Sequence, residues 1–391
     1  MIYKKRGFLP YHQPLLGREE EKEVIDTLRS GWITTGPRTK KFEELFARYI
    51  GCNHAIGLNS CTAGLHLALV ASGIGDGDEV ITSPVTFPAT ANVIVHQRAR
   101  PVFIDIDRNT LNMEPSNIEE KITERTKAII PVHFAGHPCE MDAIMKIAKK
   151  YKLIVIEDAA HALEAEYKRK KIGTIGTFTA FSFYATKNIT TGEGGMLTTD
   201  NNELSEKARI FSLHGISKDA WKRYSPEGYI HWETLYPGYK YNMFDIQAAI
   251  GIHQFPKMES FWKKRKKYTE MYDEAFSSVE EVAFLKRKEY VKPSFHLYVI
   301  LLNLEKIRIS RDEFLNEIQS EGVGVGIHFR SLHLHPYYKE KFGFKKGDYP
   351  NAEYVSERII SLPLYPKMKE EDIKFVIRVV KKLIKKHRIK R

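Results

Sequence analysis

Cysteine is scarce in this chain of 391 residues. Cys52, Cys61 and Cys139 are too few and too scattered for a disulfide framework, which makes a reducing cytoplasm the default compartment. Long apolar runs are missing as well. Nothing approaches about 18 consecutive apolar residues, so no transmembrane helix is expected. The opening Met1-Ile-Tyr-Lys-Lys-Arg-Gly7 is basic, but no apolar segment or small-residue cleavage site follows it, which argues against export. No internal repeat, low-complexity segment or Pro/Gly/Ser-rich linker interrupts the chain. Two common cofactor motifs are also absent. There is no G-x-x-x-x-G-K-[ST] phosphate loop, and Gly73-Ile-Gly75-Asp-Gly77 and Gly322-Val-Gly324-Val-Gly326 lack the spacing of a dinucleotide fingerprint.

Positive charge is in excess, at +12. It is concentrated at the end, where Lys374–Arg391 holds nine Lys or Arg and no acid. Within that tail Phe375, Val376, Val379, Val380, Leu383 and Ile384 recur at helical spacing. This reads as a core-facing stripe with a solvated basic face, not as a nucleic-acid or membrane surface. Basic residues at a helix end also suit the helix dipole.

The length exceeds one typical core and predicts a large and a smaller domain. After a helix at Arg18–Arg29, strand-like and helix-like segments alternate. The strands expected are 55–58, 79–83, 100–105, 128–133, 153–157, 179–183 and 195–199, with helices at 62–72, 115–122 and 141–150 among those between them. Apolar runs such as Leu153-Ile-Val-Ile156 suit strands buried on both faces, which predicts an α/β domain with a mostly parallel sheet. Residues 212–233 read as an irregular polar loop. From about Pro256 the texture changes to a charged helix at 257–276, strand-like 294–302, helix-like 311–321, strand-like 324–329 and the basic helix. The division is therefore a large α/β domain over 1–255 and a small α+β domain over 256–391.

Chemistry concentrates at the ends of the predicted strands. Ile154-Val-Ile-Glu157-Asp158-Ala-Ala-His161 delivers two acids where open α/β sheets place their ligands, though Asp158 also reads as a helix cap. Phe181-Ser182-Phe183-Tyr184-Ala-Thr-Lys187-Asn188 puts a lysine just past a buried strand, before the glycine-dense Thr191-Gly-Glu-Gly-Gly195. A lysine that forms a Schiff base must be held where its amine can lose a proton. Pyridoxal 5′-phosphate also needs a carboxylate on its ring nitrogen, which Asp158 could supply. Asn59-Ser60-Cys61-Thr62-Ala63-Gly64 opens a helix whose N-terminus suits a phosphate, with Ser182 as a neighbouring donor; a simple helix cap explains the segment equally well. Phe87 is the candidate aromatic for stacking on the ring. His133, His137 and Cys139 invite a metal reading, but no H-E-x-x-H or second Cys pair accompanies them, and no metal is expected. His328, His333 and His335 cluster after the 324–329 segment. Arg330 is placed to meet a carboxylate or pyrophosphate, or to be a solvated surface residue.

These segments, in this order and with Gly238-Tyr-Lys-Tyr-Asn242-Met-Phe-Asp245-Ile-Gln-Ala-Ala, resemble the DegT/DnrJ/EryC1/StrS sugar aminotransferases from about Leu9 to Ile384. Gly31-Trp-Ile-Thr34-Thr-Gly-Pro37 and Gly326-Ile-His-Phe-Arg330 resemble the arabinose-type members in particular. The resemblance implies a fold-type I enzyme using pyridoxal phosphate. Lys187 would be the cofactor lysine and proton shuttle, Asp158 the partner of the ring nitrogen, and His161 its neighbour. Thr62, Ala63 and Ser182 would hold the phosphate and Phe87 would face the ring. Asn242 would reach the neighbouring subunit's cofactor, implying a homodimer with shared sites. Thr34, His328 and Arg330 would contact substrate. The implied substrates are an amino-acid donor, glutamate, and a nucleotide-linked keto-sugar. Phe87 stands where arabinose-type members have Trp, and Cys61 occupies a position usually small and unreactive, which suggests a modest redox sensitivity. Within the family, dehydratases carry His at the lysine position, and Lys187 argues against that activity; the basic tail alone would support a non-catalytic regulatory protein.

Overall fold

The computed structural model describes residues 7–217 and 232–389. Most of the 212–233 stretch read as an irregular loop, the first six residues and the last two therefore lie outside the described part. Helices α1 (Arg18–Arg29) and α2 (Pro37–Ile50) lead into β1 (His54–Leu58), α3 (Cys61–Ala71), β2 (Glu79–Thr82), α4 (Pro88–His96) and β3 (Arg100–Phe103). Then come β4 (Thr126–Ile130), α5 (Met141–Tyr151), β5 (Ile154–Asp158) and a small hairpin, β6 (Glu166–Tyr167) and β7 (Lys170–Lys171). Strands β8 (Phe178–Ser182) and β9 (Gly195–Thr199), with α6 (Asn202–Ser212) and α7 (Asp245–Gln254), complete the first half. The main sheet has seven strands in the order β1-β9-β8-β5-β4-β2-β3. Its β2–β3, β2–β4, β4–β5 and β5–β8 pairings are parallel, and β9 runs against both of its neighbours.

The helix α3 is buried along nine of its eleven residues, because it lies flat on β8 and β9. Small residues permit this approach. A side chain at Gly64 would meet the Cβ of Ala180 in β8 at 3.2 Å. At the other end of the fold, Asp245 at the start of α7 caps α2. Its carboxylate accepts from the amides of Gly36 (2.8 Å), Arg38 (3.0 Å) and Thr39 (2.9 Å) and from the Thr39 hydroxyl (2.8 Å). Gly36, the N-cap, has no side chain of its own to do this.

The second half comprises α8 (Met258–Phe276), β10 (Val282–Phe284), β11 (Val291–Lys292), β12 (Tyr298–Leu302), α9 (Arg311–Ser320), α10 (Pro336–Phe342), α11 (Pro350–Ser356), β13 (Ile359–Leu362) and α12 (Glu370–His387). β10, β12 and β13 form a three-stranded sheet, whereas β11 joins the β6–β7 hairpin. Two hydrophobic cores meet along α8. Met258 and Phe261 belong to the core of the main sheet, and Tyr268, Tyr272 and Phe276 to that of the small sheet. Leu9 also packs into the second core, where its backbone exchanges hydrogen bonds with Gly322 and Gly324 at 2.8 Å. The basic helix α12 buries Val376, Val379, Val380, Leu383 and Ile384. Its outer face is paired as well as solvated: Lys382 meets Glu321, Lys386 meets Glu317, and Arg388 meets Glu281. Among the described residues no helix is long and apolar enough to cross a membrane.

Two expected elements take other forms. Residues 115–122 make two 3₁₀ turns, Pro115–Asn117 and Glu119–Lys121, since only Pro115 and Ile118 are buried and one turn of apolar stripe does not sustain an α-helix. Residues 324–329 form no strand. Their backbone is divided between the Leu9 segment and an isolated bridge from Gly326 to Ser361.

Candidate active site

The carboxyl ends of β1, β2, β4, β5 and β8 open into one cavity of about 770 Å³. This is the edge at which open α/β sheets collect their ligands. Lys187, Asp158, His161, Ser182, Thr62 and Phe87 all line it. Residues that are far apart in sequence meet there because parallel strands end on the same side.

Lys187 lies in the turn after β8, with its amide donating to the Tyr184 carbonyl at 2.9 Å. Burial pushes its amine down from 10.5 to about 8, while Cys61 and Asp158 pull the other way. Asp158 ends β5, 5% exposed. Its Oδ2 accepts from the Thr90 hydroxyl at 2.7 Å and its Oδ1 from the Ala160 amide at 3.1 Å. Burial nevertheless raises its carboxyl above the usual range, opposed by these two donors and by Lys187. A cation at the Asp158 carboxylate would offset that burial.

His161 is buried beside Lys187. Its ring stands 4.4 Å from that of His296 and stacks at 15° on Phe329, 6.0 Å away between centroids. Burial, reinforced by Lys187, pushes its imidazole well below 6.5, so the ring is neutral. Its buried Nδ1 has no hydrogen-bond partner within the protein.

At the start of α3, Ser60 caps the helix by accepting from the Ala63 amide at 3.1 Å. With that N–H engaged, the first-turn groups open to an anion are the Cys61 and Thr62 amides and the Thr62 hydroxyl. Ser182 accepts from the Tyr184 amide at 3.3 Å across the same space. Gly195 presses β9 against this turn: a Cβ there would lie 2.4 Å from the Ser60 carbonyl carbon. The Cys61 thiol is buried and burial raises its pKa well above 9, which disfavours the reactive thiolate.

Phe87 is 61% exposed at the N-cap of α4, its ring 6.1 Å from Phe329. His328, Arg330 and His335 form the wall contributed by the second half of the chain. His328 shares a hydrogen bond with the Ser361 hydroxyl at 2.8 Å, and Arg330 is exposed. His333 turns away into the fold, bonded to Ser331 and Glu353 at 2.7 and 3.0 Å, so the three-histidine cluster is split. Three expected site residues are outside the cavity lining: Ala63, buried in the first turn of α3, Thr34 and Asn242. Thr34 is exposed, its carbonyl accepting from the Asp245 amide at 3.1 Å, and Asn242 donates to the Thr35 hydroxyl at 2.6 Å. His133 is bonded to Glu157 at 2.9 Å and accepts from the Cys139 amide at 3.1 Å. No group of three or more potential metal ligands occurs among the described residues.

Sequence reasoning passed over Thr90, Tyr184, Glu193 and Phe329, all part of the lining. Three lay inside motifs already quoted, as neighbours of residues with more evident chemistry. Thr90 carried only one signal, its place three residues after Phe87.

A mostly parallel sheet with one reversed strand, gathering these groups at its carboxyl edge, has the architecture of the fold-type I transferases that use pyridoxal 5′-phosphate. The family model of the DegT/DnrJ/EryC1/StrS aminotransferases matches residues 14–381. A Methanocaldococcus jannaschii protein, the uncharacterized MJ1066, is 60% identical over 384 residues, covering 98% of this chain and 100% of that protein. The spore coat polysaccharide biosynthesis protein SpsC of Bacillus subtilis is 49% identical over 386 residues, 98% of this chain and 99% of its own. Among solved structures, Spr1654 of Streptococcus pneumoniae, assigned as a sugar aminotransferase, superposes with a TM-score of 0.91 at 35% identity, covering 97% of this chain and 99% of that one. That structure is a pyridoxamine phosphate form, and a pyridoxal phosphate form matches at 0.90. The chain belongs to the DegT/DnrJ/EryC1/StrS aminotransferase family, and its cofactor is pyridoxal phosphate.

Proposed function

We propose that the protein transfers an amino group from an amino acid, glutamate, to a nucleotide-linked keto-sugar, a UDP-4-keto sugar, for synthesis of a cell-surface polysaccharide or lipopolysaccharide. One observation carries this reading. Lys187, its amine lowered to about 8, and the buried carboxylate of Asp158 share a cavity of about 770 Å³. That volume admits both a small dicarboxylate and a larger sugar. The sugar and polysaccharide assignments of Spr1654 and SpsC support it.

The residues present fit the cofactor. Asp158 would pair with a protonated ring nitrogen, His161 would lie beside the ring with its free Nδ1, and Phe87 would stack on it. Thr62, Ala63 and Ser182 would hold the phosphate, Ala63 mainly through its small size since Ser60 engages its amide. When bound, the cofactor supplies an electron sink for the carbanion at the reacting carbon. Lys187 Nζ, whose lowered pKa makes the neutral amine more accessible than in a free lysine, takes the proton from Cα of the donor and in the second half-reaction gives one to the sugar carbon that becomes aminated. Thr34, His328 and Arg330 would contact substrate, Arg330 reading a carboxylate or pyrophosphate by paired hydrogen bonds. Asn242 would serve the cofactor of the neighbouring subunit, in a homodimer with shared sites.

The purified protein should show a near-ultraviolet to visible band that borohydride abolishes, and Lys187→Ala should lack it. Glutamate with a panel of nucleotide keto-sugars should then yield 2-oxoglutarate and one amino sugar. Wild-type transamination by Lys187→Ala, or turnover of none of the panel, overturns the reading.

A further inference from the structure

Lys187 has a second face. Behind it lies a separate cavity of about 30 Å³, walled by Tyr11, His12, Thr186, Lys187, His296 and His328 and closed by leucines. Thr186, Lys187 and His328 line both cavities and so form the partition between them. The N-terminal segment contributes His12, whose ring faces Tyr365 at 5.3 Å. Its Nε2 is buried, and no protein group bonds it. Buried polar atoms in native proteins have partners, and a polar chamber above about 10–15 Å³ accommodates a water that supplies one.

We propose that this chamber is a water site serving Lys187 from behind, and that His12 is the positioning residue that holds the water. His12 Nε2 accepts a hydrogen bond from the water, whose oxygen accepts one from the Lys187 ammonium. No covalent step is involved. The water solvates the protonated amine from the side opposite the substrates, so the lysine that must release a proton can also hold one. This rests on Lys187 being the reactive amine, as proposed above.

The charges around the chamber agree with an acceptor at His12. Burial pushes its imidazole down to about 3, and the Arg265 guanidinium of α8 and the Lys187 ammonium add to the effect. It is neutral at working pH. His161, His296 and His328 are likewise lowered by burial, His328 to about 4. The groups that favour charge on Lys187 are Cys61 and Asp158, and Asp158 lies on the substrate side. The rear chamber is walled by uncharged groups apart from Lys187 itself, so a water is the solvation available to the ammonium there.

The test begins with a crystal structure of the protein saturated with pyridoxamine phosphate, which leaves Lys187 free. An ordered water within hydrogen-bond distance of both His12 Nε2 and Lys187 Nζ is expected. His12→Phe fills the chamber without an acceptor, and His12→Gln retains one. In the cofactor-free protein, His12→Phe should lower by about one unit the pH midpoint of the rate of pyridoxal phosphate attachment, because the free Lys187 ammonium loses solvation. It should reduce kcat by roughly tenfold with little change in KM, and His12→Gln should restore both. A dry chamber in crystals that resolve other buried waters overturns the proposal. So does a folded His12→Phe enzyme with the wild-type midpoint and kcat. If His12→Phe does not fold, the wild-type crystal still decides. Failure of the underlying reading would look different, since the wild-type protein would then lack the borohydride-sensitive band.

Discussion

The Thr90 hydroxyl donates to Oδ2 of Asp158 at 2.7 Å, joining the first turn of α4 to the end of β5. The same turn carries Phe87 as its N-cap, so one short helix both aims the carboxylate and presents the aromatic. Thr86 completes the chain, its hydroxyl 2.8 Å from that of Thr90. Thr90→Val should lower kcat by roughly tenfold, the scale of one hydrogen bond to a charged group, and leave KM nearly unchanged. Asp158→Asn should cost roughly a hundredfold or more, as for a lost electrostatic partner at the reacting centre. Steady-state kinetics of the two variants check this, and a near-normal rate in Asp158→Asn would reduce that residue to a cap on the turn at Ala160, since β6 and not a helix follows β5.

The lowered amine of Lys187 sets a pH dependence. Attachment of pyridoxal phosphate needs the neutral amine, so the attachment rate of cofactor-free protein should fall as pH drops through about 8, not through 10.5. The linkage has the opposite sense to that of a salt-bridged lysine. Between these two values the unfolded chain binds a proton that the native chain does not, so the Lys187 contribution to stability rises with pH across that window. Lys187→Met should remove this rise. Stopped-flow attachment rates and denaturant titrations of the cofactor-free proteins between pH 7 and 10.5 measure both effects.

Asn242 bonds to Thr35 and is absent from the lining of its own chain's cavity. If it completes the phosphate site of a neighbouring subunit, cofactor and dimer are thermodynamically coupled. Pyridoxal phosphate should then shift a dilute sample toward dimer, and Asn242→Ala should weaken both retention and shift. Mixed Lys187→Ala and Asn242→Ala subunits should recover activity, because one site of each hybrid carries neither defect. Hybrid dimers that form without activity, from an inactive Asn242→Ala parent, would place Asn242 in service of its own subunit.

Asp245 should matter to stability rather than chemistry. Asp245→Ala leaves the α2 amides of Gly36, Arg38 and Thr39 uncapped in a buried setting, and a loss of about 3 kcal/mol is expected. Asp245→Asn keeps the oxygen that serves Gly36 and Thr39 and should lose about half as much. Urea unfolding curves of the two variants give the comparison.

Local pattern made much of this legible. Apolar stretches such as Leu153-Ile-Val-Ile156 made strands of the main sheet legible, and Asp158 ends one strand while Lys187 follows another, where a charge beside apolar neighbours is informative. What escaped depended on contacts between distant segments. Thr90 and Asp158 are 68 positions apart, and nothing in either neighbourhood announces their hydrogen bond. Asp245 reaches back 206 positions to cap Thr39, beyond any capping rule applied along the chain. Residues 324–329 have a strand's apolar alternation, but their neighbours in space are the Leu9 segment and Ser361, so no regular ladder forms. His12 resembles any other polar residue near a terminus until the fold seals its Nε2 behind Lys187.

The helix α8 lends its first turns to one core and its later turns to the other, and Leu9 returns from the opposite end of the chain to fill the second. A cut between residues 255 and 256 therefore yields no portable module. The first fragment would keep Leu9 without the core that receives it and would lose Met258 and Phe261. The second would expose the face of α8 that Met258 and Phe261 form. Chimaeras within the family should exchange loops at the cavity rim, around His328–His335 for instance, and leave α8 and the N-terminal strap as a matched pair.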